Sequence, residues 1–235
     1  MKKIALLFTI LVIGFQANSQ ILISLLLGDK LNSDKLEFGL DGGLSLSKME
    51  NSGADYLRTF NLGFYFDFKF KNNPQISFNT GVQVKSNLGV NGATVYNLGN
   101  ANLDSIYETG EITRRLSYFN VPILLKYTFK NNIFVHGGIQ AGLRTKATDT
   151  FKRTIYETDD SQFTNDIKDD VTRLDAGASI GLGYRLLNGN GMNIGARYYH
   201  GLVDVVKNDG TLKQYNRAIY FNVGIPIGKS PKPKN

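Results

Sequence analysis

Apolar and polar residues alternate strictly along much of this chain. From Asn61 to Phe70, Leu62, Phe64, Phe66, Phe68 and Phe70 fall on one side of an extended chain, and Asn61, Gly63, Tyr65, Asp67 and Lys69 fall on the other. A period of two is what a β-strand with two unlike surroundings imposes. The same alternation predicts strands over 36–46, 76–85, 118–129, 133–144, 173–185, 192–199 and 219–227. In each, one face is mostly apolar, drawn from Leu, Ile, Val, Phe, Ala, Met and Tyr, while the other is rich in Gly, Asn, Ser and charge.

The connections between these strands sort by length. Lys71 to Pro74, Lys130 to Asn132 and Asn188 to Gly191 are tight, whereas Lys48 to Leu57, Asn87 to Ile112, Ala147 to Asp170 and Leu202 to Asn216 are long, and the two kinds alternate. A membrane barrel has one rim of short turns and one rim of long loops. The expected fold is all-β: a closed antiparallel up-and-down transmembrane β-barrel of about eight strands. Ten remain open, because the segments from Asn87 to Ile112 and from Ala147 to Asp170 have room for further hairpins. The fold-level rival is a soluble, lipocalin-like barrel with the faces reversed.

The first residues carry a different signal. Met1-Lys2-Lys3 is a positive start, Ile4 to Phe15 is apolar, and Ala17-Asn18-Ser19 supplies small residues for cleavage, the organisation of an export signal. The expected boundaries are a signal peptide over 1–19, a periplasmic lead-in over 20–35, the barrel over 36–228 and a disordered tail over 229–235. The expected location is the outer membrane, reached through a cleaved signal.

Composition agrees with this picture and narrows it. The 25 Gly, 12 Tyr and 15 Phe suit turns, crowded barrel interiors and pleated surfaces. With no cysteine there is no disulfide, thiolate metal site or cysteine nucleophile. The formal charge of +7 falls by two once Lys2 and Lys3 leave, and the rest is dispersed. Nucleic-acid binding would instead gather it on one face, so outer-membrane lipid is the expected partner and nucleic acid is not.

The polar strand faces carry charges of both signs: Glu37, Asp41, Asp67 and Asp175 against Lys69, Lys85, Lys126, Arg144, Arg173, Arg185 and Arg197. An eight-stranded barrel is narrow enough for side chains to fill it, so these eleven are expected to form a paired, structural network in the lumen. His136 is expected on an inward face and His200 near a rim, and neither has an adjacent Ser or Asp partner of the kind a hydrolytic triad uses. The acidic segment from Asp159 to Asp170 lacks the glycine and terminal Glu of an EF-hand loop. No cofactor, metal site or catalytic residue is expected. Tyr56, Phe60, Tyr127, Phe129, Tyr184, Tyr198 and Tyr199 stand at strand ends, where barrels carry aromatic girdles.

Three segments add a family resemblance. Tyr118-Phe119-Asn120-Val121-Pro122-Ile123-Leu124-Leu125-Lys126-Tyr127 resembles the Y-x-x-x-P-L-L-L-K-Y strand of PorT-like barrels of Bacteroidetes outer membranes. Asp175 to Tyr184 is similar to the Gly-rich strand that follows it there, and Arg197 to Asp204 to that family's R-Y-x-x-G-L-x-D strand end. The resemblance implies a barrel of the same type and, for a member of the family, association with a secretion and gliding apparatus. The expected function is therefore interaction through the loops, at the surface or with envelope and secretion-apparatus proteins. The alternatives are a narrow porin-like channel for ions or small solutes and, less favoured, an outer-membrane enzyme.

Overall fold

A computed structural model describes residues 33, 35–156, 159–189, 191–207 and 212–227. The expected signal peptide, most of the lead-in and the tail lie outside the described residues. Among the described residues the elements are β1 (Leu36–Met49), β2 (Asp55–Phe70), β3 (Asn73–Ala93), α1 (Ala101–Tyr107), β4 (Glu111–Thr128), β5 (Ile133–Tyr156), β6 (Asp159–Asp166), β7 (Leu174–Arg185), β8 (Asn193–Gly201) and β9 (Asn216–Pro226).

Eight of these strands close into a ring. β1 through β5, then β7, β8 and β9, pair antiparallel in succession, and β9 returns to β1 with Leu40 opposite Ile225 and Ser47 opposite Ala218. β4 meets β5 along its whole length, from Glu111↔Lys152 to Thr128↔Phe134. A closed ring leaves no row of unpaired N–H and C=O groups, the condition for crossing hydrocarbon with strands. β6 stands outside the ring and pairs with the far end of β5, Thr148 opposite Asp166. The extra hairpin thus lengthens one side of the barrel without widening it.

The outward face is apolar over a limited height. On β4 the outward residues run Glu111, Thr113, Arg115 and Ser117, then Phe119, Val121, Ile123, Leu125 and Tyr127. Leu44, Phe64, Ile139, Ile180, Leu182 and Ile225 stay exposed on the same belt around the ring. Five or six outward residues per tilted strand span about 25 Å, the height of a lipid-facing band. Above the belt both faces of β3, β4 and β5 carry polar residues. There the alternation disappears, so these strands run well past the bounds it predicts.

Aromatics mark both edges. Tyr127, Phe129 and Tyr184 stand outward at the turn rim, and Tyr56, Phe60 and Tyr198 at the loop rim. Tyr199 does not join them: it faces inward and is buried.

A level of β-bulges lies at the upper edge of the belt. The register shifts near Leu62 in β2–β3, between Gln83 and Ser86 in β3–β4, and between Ser117 and Tyr118 in β4–β5. A bulge adds an unpaired residue, bends its strand and re-aims side chains. Above the bulges β4, β5 and β6 continue past the ring into a tall sheet at the loop rim, with β3 beside β4 as far as Ala93. The face of that sheet continuous with the lumen has its own small core. Tyr107 of α1 packs with Ile112, Phe151 and Phe163. α1 is held at its start by Asn100, whose Oδ1 accepts from the N–H groups of Asn102 and Leu103 at 3.1 and 3.3 Å.

Close approach fixes one glycine in particular. A Cβ at Gly39 would run into the Tyr65 ring and the Ile225 carbonyl, and Gly224 also lies beneath that ring. Gly39→Ala should therefore lower stability by about 1–3 kcal/mol, the usual cost of overpacking. The unfolding midpoint in urea, read by the mobility difference between heated and unheated protein, measures this.

Candidate functional site

The lumen is filled in layers. Nearest the loop rim, Met49, Leu88, Val90, Leu116, Ala147 and Ala218 from the strand walls meet Ile167, Val171 and Val205 from the loops in one buried apolar cluster. It joins β3 and β4 to β8 and β9 on the opposite wall, so it crosses the mouth. Arg144 holds the loop in place: its Nη2 donates to the Lys168 and Val171 carbonyls at 2.8 and 3.3 Å, and its Nε to Thr172 O at 3.3 Å. The loop of β8–β9 is tied in as Thr172 N–H donates to Val205 O at 2.8 Å.

Three buried tyrosines, Tyr118, Tyr199 and Tyr220, form the floor of this cap. Their rings belong to the apolar cluster and their hydroxyls turn to polar partners. Asn216 Nδ2 donates to Tyr118 Oη at 3.3 Å and to Asp175 Oδ2 at 2.9 Å, spanning the lumen from β9 to β4 and β7. The Arg197 guanidinium lies over the Tyr220 ring at 4.9 Å, a cation–π contact where apolar and polar layers meet.

The half of the lumen nearer the turn rim is charged. Lys126 Nζ sits 2.7 Å from Asp67 Oδ2, and Asn79 Nδ2 donates to the other oxygen at 2.6 Å. Lys126 also lies over the Phe134 ring at 4.3 Å. Arg185 reaches from β7 to Glu37 on β1 at 2.5 Å, and Tyr65 donates to the same carboxylate at 2.9 Å. Asp41 accepts from Asn222 Nδ2 at 2.6 Å. Between the layers a cavity of about 70 Å³ is lined by Asp41, Lys126, His136, Arg197 and Asn222, room for a few waters.

Of the eleven charges expected in the lumen, four thus meet as two ion pairs, and Asp41, Asp175 and Arg197 face inward with amide or aromatic partners instead. Lys69 is half-buried at the turn rim. Three need correction. Lys85 is exposed and opposite Leu62, because the bulge between Gln83 and Ser86 turns it outward. Arg173 is exposed at the loop rim, ahead of β7, where its carbonyl accepts from the Arg144 N–H. Arg144 serves loop carbonyls rather than a lumen carboxylate.

Strand parity alone could not reveal the residues that partner the charges. Asn79, Asn216 and Asn222 are legible as inward, but not as bridges to particular carboxylates. Outside the expected set, Arg114 makes a two-pronged pair with buried Asp149, at 2.8 and 2.7 Å, in the tall sheet. Arg217 pairs with Glu50 at the loop rim. His136 faces the lumen beside Phe134, and His200 faces outward near Tyr198, so the two histidines open onto different surroundings.

A closed eight-stranded ring, a lipid-facing belt and a filled interior define an integral membrane β-barrel. The model of the family described as outer membrane protein beta-barrel domain matches residues 18–207, and the chain belongs to that family and so to the outer membrane. A comparison with curated protein sequences finds no match. Among solved structures, the chain is similar to Ail of Yersinia pestis in complex with the heparin analogue sucrose octasulfate, at 11% identity over 82% of this chain and 99% of that one, TM-score 0.43. It is also similar to Neisserial surface protein A, at 11% identity over 84% and 98%, TM-score 0.40, and to OprG of Pseudomonas aeruginosa, at 13% identity over 82% and 93%, TM-score 0.37.

Proposed function

We propose that this chain is a closed outer-membrane barrel that works through its extracellular loops, binding at the cell surface or joining an envelope or secretion assembly, without catalysis of its own. The observation that carries this reading is the apolar cap, which draws residues from opposite walls and two loops across the mouth. The folded head of α1 and the tall β3–β6 sheet gives a partner an ordered surface to meet. The motifs at Tyr118–Tyr127, Asp175–Tyr184 and Arg197–Asp204 favour the PorT-like, Bacteroidetes type, exported by a cleaved signal over residues 1–19. The charged half of the lumen favours a second reading, a narrow channel, whose path would have to breach the cap.

Planar-bilayer recording tests closure. Folded protein is expected to give no steady unitary current, and discrete, reproducible openings would transfer the proposal to the channel reading. Gentle solubilisation of native membranes tests the partner reading: the barrel is expected to migrate in a complex that is lost when the head segment 94–110 is replaced by a short linker. Migration as the barrel alone in both cases would overturn it.

A further inference from the structure

We infer that the outer wall of the barrel, just above the lipid-facing belt, holds a binding site for the phosphorylated sugar headgroup of an outer-leaflet glycolipid. The site is a groove of about 460 Å³ across β3, β4 and β5, lined by Lys85, Asn87, Arg115, Ser117, Thr145 and Lys146 among others, none of them acidic.

The bulges build it. Lys85 belongs to the extra pair that turns outward from β3, and Thr145 is the unpaired residue between Arg144 and Lys146 on β5. The register then sets Asn87, Ser117 and Lys146 in one row and Gly89, Arg115 and Thr148 in the next. Two strand spacings, about 10 Å, separate β3 from β5, so Lys85, Arg115 and Lys146 converge on a patch the size of a phosphorylated sugar.

Among the described residues, nothing answers these charges. Among the described residues none of the three makes an ion pair or a side-chain hydrogen bond, and all three are exposed. The neighbouring carboxylate, Asp166 beside Thr148, is taken by Lys168. It holds an ion pair at 2.9 Å and accepts the Lys168 backbone N–H at 3.0 Å, which keeps that carboxyl below its ordinary range. The hydroxyl and amide groups are ordered instead: Ser117 Oγ donates to Asn87 Oδ1 at 2.7 Å, and Thr145 Oγ1 to Ser117 O at 3.1 Å. Unpaired cations beside a fixed hydrogen-bonding row recognise phosphate on a sugar.

Height selects a lipid over a soluble anion. Val84 forms the lower edge of the groove, and Phe119 and Leu143 are the outward residues next below it; all three are exposed on the belt. A lipid whose acyl chains lie along those residues places its headgroup in the groove. The cations extend the pattern at the same level, with Arg58 outward on β2 and Lys48 over the Tyr56 ring at 5.4 Å on β1.

Full-length folded protein in zwitterionic detergent, titrated with bis-phosphorylated lipid A and followed by native mass spectrometry, tests this. Saturable binding of the lipid is expected. K85Q/R115Q/K146Q should weaken it on the order of a hundredfold, given the usual worth of basic residues near an anionic lipid surface. K35Q/K71Q/K130Q, which removes the same charge from the opposite rim, should leave it unchanged. All six residues are exposed, and the heat-dependent gel shift verifies folding. Equal loss in both variants, or none in the first, would overturn the site. Equal binding of dephosphorylated lipid A would overturn phosphate recognition, and competition by inorganic pyrophosphate at the lipid's own affinity would overturn the lipid assignment.

Discussion

Replacing Lys126 with methionine is expected to destabilise the barrel by about 3–5 kcal/mol, the cost of stranding a buried charge. Lys126 and Asp67 side chains are only 6% and 4% exposed and lie 2.7 Å apart. Without the ammonium, Asp67 keeps a single hydrogen-bond donor among the described residues, Asn79, inside a wall of side chains. The pair itself is worth much less than this, because both partners have given up water to form it. The double variant Asp67→Asn/Lys126→Met should therefore recover most of the loss, to within about 1.5 kcal/mol of the parent, the scale of one ordinary hydrogen bond. The side-chain amide that replaces the carboxylate at position 67 would still accept from Asn79, and the methionine would keep the contact with Phe134. Urea unfolding in lipid vesicles measures all three proteins. If the double variant is as unstable as Lys126→Met, the loss comes from packing and not from an orphaned charge.

The second large effect depends on depth. Ile180 is 66% exposed on the outward face of β7, opposite Gly137 on β5 and Tyr198 on β8. In water such a residue would accept arginine freely. On a lipid-facing belt, Ile180→Arg should cost about 2–4 kcal/mol. Ser117→Arg, outward on β4 one step above Phe119, should cost no more than about 1 kcal/mol, as near an interface. The two substitutions add the same group to the same face of the same barrel. Their difference in vesicle unfolding free energy therefore reads the membrane boundary directly. Equal costs would mean that the belt is not where lipid lies.

Much of this architecture was legible in the sequence because alternation is local. Leu62 to Phe70 and Phe119 to Phe129 show their faces without any knowledge of neighbours, since each residue is turned by its own backbone. The sorting of tight and long connections likewise sets both rims. Where alternation falters, from Asn87 to Ile112 and from Ala147 to Asp170, strands still run on, to Ala93 in β3 and through Tyr156 and Asp166 in β5 and β6, with helix α1 between β3 and β4. Above the lipid, neither face needs to be apolar, so strand and loop look alike in sequence. Hence the sequence admits β6 and the tall sheet only as possible hairpins.

The candidate site was legible by type and not by partner. Glu37, Asp67, Lys126 and Arg185 read as inward from parity alone, but their pairing depends on the strand order around the ring: β7 and β1 are set across the lumen, while β4 and β2 flank β3, over which Lys126 reaches Asp67. The cap was hidden for the same reason. Ile167, Val171 and Val205 lie in loops, and only the closed barrel gives them a mouth to fill.

By itself, the sequence determined the strands, their two faces and the membrane that those faces require, because a period of two follows from the geometry of each single strand. Tertiary structure alone decided the register, the level of bulges that turns Lys85 out, the two ion pairs inside the lumen and the closure above them. Those depend on distances between residues far apart along the chain, which the local period does not encode.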